Sequence, residues 1–483
     1  MARLVGILHA LCSANNMQRV SAERELETLK YDGSDLLSEL LQLSRLETVE
    51  ISLRKLALIL VRRIICSQDG YGNLDELKRI NFRANLLLGL GSNTSERYLQ
   101  AKLCDIIGHL IGYELDVNSW PEVMHFISSS MQSQDPFLLE STFSLLGSLC
   151  VRDIDIVVQH IDPIAQALHF YLIHPTRNPG LQLASLRAFS SILASLSQES
   201  PFRCLHQLMS SVFVVLNDML TDCANTDSSK EDVICAFIEN LIDIAEESVR
   251  FLTEDMSSYL PMILSHIENP QQPSFVRNML LEFVVVLATN APKYVRKLKS
   301  YEGERGFVFK RLMAVCEALM STIPEDPRWH LSTNDEDDLD EEFQSYDIGE
   351  TSLDRLFKAL GLKACFPLLI SRIGHLLNQQ HSWVMLHNGL RALGNSLELT
   401  AQLGKRDLAS HHADVCNTIA FYSRHEHPRV RAAAFYAVGQ LYLMHGRKLP
   451  VERVNALILL LLDCAGSPSN AYPRLKLYVS VVA

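Results

Sequence analysis

The stretches SDLLSELLQLSR at residues 34–45 and ISLRKLALILVRRIIC at residues 51–66 decide the fold. In the first, Leu36, Leu37, Leu40, Leu41 and Leu43 recur at the i, i+3, i+4 and i+7 spacing that gathers apolar side chains on one face of a helix. A break near Thr48 follows, and Leu53, Leu56, Ala57, Leu60, Val61, Ile64 and Ile65 repeat the pattern. Two antiparallel helices joined by a few residues are the expectation.

The couple recurs along the chain. Expected pairs are Trp120 to Met131 with Pro136 to Leu149, Asp155 to Ile173 with Pro179 to Leu196, and Cys204 to Leu220 with Asp232 to Val249. Tyr259 to Ile267 with Phe275 to Ala288, Phe366 to Leu377 with Trp383 to Leu397, and Val415 to Tyr422 with Arg429 to Met444 continue it. Strict strand alternation is almost absent. A period of about 40 to 50 residues with two helices each fits HEAT repeats better than the 34-residue tetratricopeptide unit or the ankyrin unit. The fold class expected is all-α, a right-handed superhelical HEAT solenoid of about ten to eleven repeats.

Punctuation agrees. Pro121, Pro136, Pro201, Pro428 and Pro450 stand at helix starts, where the missing N–H costs nothing. Gly91 and Gly446 follow helix ends as left-handed caps, and Ser229, Asp232 and Thr253 read as N-terminal caps.

With 483 residues, 48% hydrophobic side chains and a mean hydropathy of +0.07, the chain is long enough for a repeat array with one continuous core. Its 44 basic and 56 acidic residues leave a net charge of -12, which points away from nucleic acid and toward basic partners. The 11 cysteines contain no CxxC, the nearest pair being Cys223 and Cys235, and read as reduced core thiols. Leu4 to Cys12 reads as a first amphipathic helix, not a signal peptide. The longest apolar run elsewhere, Ala456 to Leu462, is far too short to span a bilayer. The Asn93 sequon then carries no weight.

One segment breaks the rhythm. Between Pro324 and Gly349 the helical period disappears, and Asp335, Glu336, Asp337, Asp338, Asp340, Glu341 and Glu342 crowd into eight positions. Charges so dense repel one another, so the expectation is a solvated acidic loop inserted in the array. It is read as a latch for a basic partner, weakened by salt, with a solubilising insertion as the bland alternative. Trp329, just ahead of it, is either a partner anchor or helix packing; Trp120 and Trp383 read as helix-pair packing.

No GxSxG, GxxxxGK[ST] or HExxH motif occurs, and Gly89-Leu90-Gly91 lacks the rest of a dinucleotide fingerprint. His411, His412, His425 and His427 point apart on a helical scaffold and make no metal site. No cofactor, metal or enzymatic activity is expected. Arg62, Arg63, Lys293, Arg296, Lys297 and Lys299 read as helix-end charges, with phosphate or RNA binding as the alternative.

Several ordered motifs resemble the importin beta family of nuclear transport receptors. Asn16, Arg19, Ala22, Glu23 and Leu26, then Arg54, Ala57, Leu60, Arg62 and Arg63, look like its N-terminal domain. Trp120-Pro121-Glu122 opens a helix as in the family. Gly349-Glu350-Thr351-Ser352-Leu353-Asp354-Arg355-Leu356, with Leu360-Gly361, Lys363 and Pro367, resembles a stretch of the importin five and yeast karyopherin beta-three branch. Trp383, His387, Gly389, Leu390, Ala392 and Leu393 follow, then His427-Pro428-Arg429-Val430-Arg431 and Ala437-Val438-Gly439-Gln440. Leu362 departs from the pattern by replacing a glycine, and family members continue well beyond this chain, which is read as a short paralogue, a fragment or a truncated form.

The resemblance implies a division into residues 1–115 (Ran-binding repeats), 116–323 (further repeats), 324–349 (acidic loop) and 350–483 (repeats, the last incomplete). It implies binding of Ran-GTP, of basic cargo with nuclear localisation signals such as ribosomal proteins or histones, and of FG nucleoporins. No membrane insertion or direct nucleic acid is expected, and location is cytoplasm and nucleus. The alternative is a HEAT scaffold without Ran control.

Overall fold

The computed structural model describes residues 2–31, 35–66, 71–91, 96–113, 120–174, 178–196, 203–225, 231–299, 303, 306–326, 329–331, 341–402, 412–445, 449–468 and 475. Within them run 24 α-helices. In order they are α1 (Ala2–Leu11), α2 (Asn16–Tyr31), α3 (Leu36–Arg45), α4 (Ile51–Cys66), α5 (Glu76–Gly91) and α6 (Arg97–Tyr113). Next are α7 (Glu122–Ser130), α8 (Pro136–Arg152), α9 (Ile154–Gln159), α10 (Ile161–Ile173), α11 (Pro179–Ser195), α12 (Arg203–Asn225) and α13 (Glu231–Glu247). Then come α14 (Arg250–Thr253), α15 (Met256–Glu268), α16 (Ser274–Asn290), α17 (Pro292–Lys297), α18 (Phe307–Met320) and α19 (Glu341–Leu360). The last are α20 (Leu362–Leu377), α21 (Trp383–Gln402), α22 (His412–Tyr422), α23 (Pro428–His445) and α24 (Val451–Gly466).

The helices form two compact units, residues 1–219 with 229–251, and residues 220–228 with 252–483. In the first, α4, α6, α8, α11 and α13 stack as successive second helices of their pairs, with α3, α5, α7 and α10 packed behind. In the second, α16, α19, α21 and α23 form the same ridge, backed by α15, α18, α20 and α22. Leu40, Leu43, Ala57, Val61, Phe82, Leu86, Phe143 and Phe189 are fully buried in one core, and Phe283, Leu312, Leu356, Leu390 and Phe435 in the other. Each fully buried leucine or phenylalanine contributes about 2 kcal/mol over its exposed state.

Two devices tie each repeat to itself and to the next. The Arg54 Nε donates to the Ser44 carbonyl at 2.9 Å, Gln182 Nε2 to Leu172 at 2.8 Å and Arg277 Nε to Ile267 at 2.7 Å, each ten residues back. In all three a side chain from the first turn of a second helix satisfies a carbonyl left orphan at the end of the first helix. Between repeats the pairs Arg62–Asp105, Arg97–Glu140 and Arg311–Glu268 all join residues 43 apart. Glu350–Arg391 and Asn395–Tyr436 are 41 apart. That spacing is the repeat length, and it is a HEAT length.

Some boundaries differ from the sequence reading. The helix expected over Asp155 to Ile173 breaks at His160, because Pro163 in the first turn of α10 has no N–H to continue α9. Thr253 is the last residue of α14, and Asp255 is the N-cap residue of α15. Gly91 is the last residue of α5 with no left-handed backbone; among the described glycines a positive φ occurs at Gly303, Gly306 and Gly361. Pro201, Ser229, Gly446, His411 and the Asn93 sequon lie outside the described residues. The loop expected from Pro324 to Gly349 is corrected at its end. Helix α19 already starts at Glu341, since two carboxylates suit a helix N-terminus and Tyr346, Gly349, Leu353, Leu356, Phe357 and Leu360 keep a buried helical stripe going.

All 11 cysteines are free thiols. Burial pushes Cys104, Cys150, Cys316 and Cys365 up to about 12, while Cys12 and Cys66 are exposed. Titration of the native chain with a chromogenic disulfide should therefore show two fast equivalents, lost in the double variant Cys12→Ser, Cys66→Ser, with the buried thiols reacting only after denaturation.

Candidate functional site

The second helices of the 252–483 unit carry a cluster of ordered charge. In α19 the buried stripe leaves Asp347, Glu350 and Asp354 on the other side, at helical spacing. In α21, Leu386, Leu390, Leu393 and Leu397 pack inward, and Arg391, Asn395 and Glu398 share the adjoining face. Helix α23 adds Tyr436.

Arg391 organises these groups. Its Nε and Nη2 donate to the two Glu350 oxygens at 2.7 and 2.8 Å, a fork-on-fork pair. Its guanidinium lies 3.9 Å from the Tyr436 ring centroid, and the Tyr436 hydroxyl donates to Asn395 Oδ1 at 2.7 Å. Gly394 makes room, for a Cβ there would stand 2.7 Å from that ring. Farther along, Lys358 donates to Asp354 at 2.7 Å and lies 3.7 Å from Glu398.

Four carboxylates thus surround two cations, leaving an acidic surplus on a rigid, partly desolvated surface. Burial raises the Asp347 carboxyl against the pull of Arg391, and burial raises the Tyr436 phenol. The Lys358 ammonium is raised by its hydrogen bond to Asp354. Such a surface has acceptors to offer guanidinium and ammonium groups. It holds no nucleophile paired with a base, and among the described residues no cluster of histidine, cysteine or carboxylate fits a metal ion.

The same unit holds an aromatic stack. The Trp383 and His427 rings are parallel, 4.1 Å apart, and Arg429 sits 5.1 Å from the Trp329 ring and 5.8 Å from that of Trp383. Trp329 is only 7% exposed, so it packs within the unit and ties the start of the acidic segment to α23. His427 packs likewise, and its backbone N–H donates to His425 Nδ1. Of the acidic run, Asp335, Glu336, Asp337, Asp338 and Asp340 lie outside the described residues, while Glu341 and Glu342 open α19.

The acids at 347, 350, 354 and 398 were missed from sequence because no two of them are adjacent, so they form no visible charge run. Their signal was the outward helical stripe inside the Gly349 to Asp354 motif, continued one repeat later. Among the described residues no helix is long and apolar enough to cross a membrane.

Stacked helix couples with an ordered acidic face define a helical-repeat protein. Residues 95–262 match the family model described as IPO5-like, TPR repeats, and residues 270–367 match the one described as Importin repeat. The chain belongs to the importin beta family of karyopherins. It is 22% identical over 450 residues to importin subunit beta-3 of Saccharomyces cerevisiae, covering 91% of this chain and 39% of that protein. Crystal structures of Kap121p bound to RanGTP and to Ste12p superpose with TM-scores of 0.78 and 0.81 at 20% identity. Each covers 100% of this chain and 44% of its own, so the chain spans about two fifths of the relatives' length.

Proposed function

We propose that the chain is a non-catalytic nuclear import receptor that binds basic cargo and Ran-GTP and moves between cytoplasm and nucleus through FG nucleoporins. Family membership carries the reading, supported by the one relative, Kap121p, crystallised with RanGTP and separately with Pho4p, Ste12p and Nup53p. Basic cargo is assigned to the platform of Asp347, Glu350, Asp354 and Glu398, and to the acidic run Asp335 to Glu342 that leads into it. Ran-GTP is assigned to the first repeats, residues 1–115. First helices expose single apolar side chains, Leu77 and Ile80 on α5 and Phe170 and Ile173 on α10, which suit phenylalanine-glycine repeats.

Cargo and Ran-GTP are coupled negatively in this reading, and linkage makes the penalty reciprocal. The test is a pair of titrations with Ran loaded with a non-hydrolysable GTP analogue or with GDP. They are repeated after the acids from Asp335 to Glu342 are replaced by serine and asparagine. The expected result is binding of the GTP form alone. Equal binding, or none, to the two forms overturns the Ran assignment and leaves a HEAT scaffold.

A further inference from the structure

In the unit formed by residues 1–219 with 229–251, the second helices carry a surface of the opposite kind. Helices α6, α8 and α11 lie side by side, and between them runs a groove of about 560 Å³, within the size range of ligand clefts. Much of its floor is made of small residues, Ala101 on α6, Ser144 and Ser148 on α8, Ala184 and Ser191 on α11, with Phe143 and Leu183 among the larger residues lining it. No large side chain of the protein's own fills it.

The charged groups of the groove are unevenly matched. Arg97 pairs with Glu140 at 3.2 Å, but the Arg97 side chain is 67% exposed while Glu140 is only 18% exposed. Burial raises the Glu140 carboxyl even with Arg97 beside it. Arg187, one helix on, is exposed, lines the same groove and has no carboxylate partner among the described residues. The groove therefore presents a net positive charge in a chain that carries -12 overall. Its hydroxyls are already committed as donors: Ser148 Oγ donates to the Ser144 carbonyl and Ser191 Oγ to the Arg187 carbonyl. Their lone pairs remain to accept peptide N–H groups.

From this charge, depth and hydrogen-bonding pattern we infer that the groove binds an extended acidic peptide with small side chains. Its carboxylates lie on the Arg97 and Arg187 guanidinium groups, and its backbone lies on the small-residue floor. Arginine forks reading an acidic motif are a recurring mode of peptide recognition. Backbone contact with the floor excludes bulky segments. A partner of this kind is distinct from the cations that the α19–α21 platform attracts.

The test uses the full chain and a fluorescein-labelled peptide alternating glycine or serine with aspartate, followed by anisotropy at rising salt. Binding is expected at low salt and is weakened by salt. The exposed substitution Arg187→Glu is expected to weaken it about tenfold or more, the worth of one charged hydrogen bond. Ala184→Leu, which raises the floor without changing charge and keeps a good helix former, is expected to weaken it comparably. A lysine-substituted peptide should still bind both variants through the platform of the other unit, and unchanged helicity reports that they fold. Absence of binding by the acidic peptide, or equal affinity for the wild type and both variants, overturns the inference and leaves the receptor reading untouched.

Discussion

Arg391→Ala is expected to destabilise the 252–483 unit by about 3 kcal/mol, the range for removing one member of a buried ion pair. The cause is what stays behind. The Glu350 side chain is 15% exposed, and it would lose both guanidinium hydrogen bonds at once. Tyr436 would lose the cation lying 3.9 Å from its ring centroid. Of the three tryptophans, Trp329 and Trp383 belong to this unit and Trp120 to the other, so urea unfolding followed by tryptophan fluorescence reports mainly on the affected part. A fall in the urea midpoint of that transition is the expected result. Arg391→Lys should recover only part of the loss, since an ammonium cannot make the two-pronged contact. The double replacement Glu350→Leu, Arg391→Met should recover most of it, because two apolar groups of similar volume leave no charge unpaired. If the double variant proves as unstable as Arg391→Ala, the pair is not what holds α19 to α21, and packing around Gly394 becomes the explanation.

The fold was legible where one physical rule acted alone. Leu36 to Leu43 and Leu53 to Ile65 have no role but to cover a neighbour, and their spacing fixes two helices with the right faces inward. Pro136 and Pro179 mark the first residues of α8 and α11 because a side chain ahead of each, Asp135 or Asn178, caps the same turn. Reading fails where two rules compete. Seven acids between 335 and 342 hid the start of α19, since dense like charge argues for a loop while a helix N-terminus welcomes the last two. The break at His160 was hidden in the opposite way, by an apolar periodicity that runs across Pro163.

The platform was harder still. Asp354 and Glu398 are 44 residues apart, and nothing in either helix alone says that both border the same lysine, Lys358. A repeat period of 41 residues, visible only once Glu350 is seen against Arg391 and Asn395 against Tyr436, supplies the missing rule. The groove in the other unit shows the converse. Ala101, Ser144 and Ala184 look like ordinary helix formers in sequence, and their common trait of leaving a floor appears only when α6, α8 and α11 are side by side.

Acid should unfold the 252–483 unit well before it titrates most of the ordinary carboxylates. Burial and the cations Arg391 and Arg429 hold the His387 imidazole down to about 3, and burial with Arg429, His425 and Arg431 holds His427 down to about 4. Both rings are therefore neutral in the fold at pH 6, and each is packed in that form, His387 against Tyr346 and His427 against Trp383. In the unfolded chain each protonates near pH 6.5. The unfolded state then binds more protons than the native state, so stability is fully present above about pH 6.5 and falls as pH drops toward the folded values. Each tenfold difference in proton affinity is worth about 1.4 kcal/mol, so the fall from 6.5 to about 3 at His387 accounts for on the order of 5 kcal/mol. Fluorescence of Trp329 and Trp383 during an acid titration measures this, and an unfolding midpoint between pH 4 and 5.5 is expected. His387→Asn keeps a hydrogen-bonding side chain that cannot take a proton, and should lower that midpoint by about half a pH unit or more. An unchanged midpoint would mean that groups other than His387 control the acid transition.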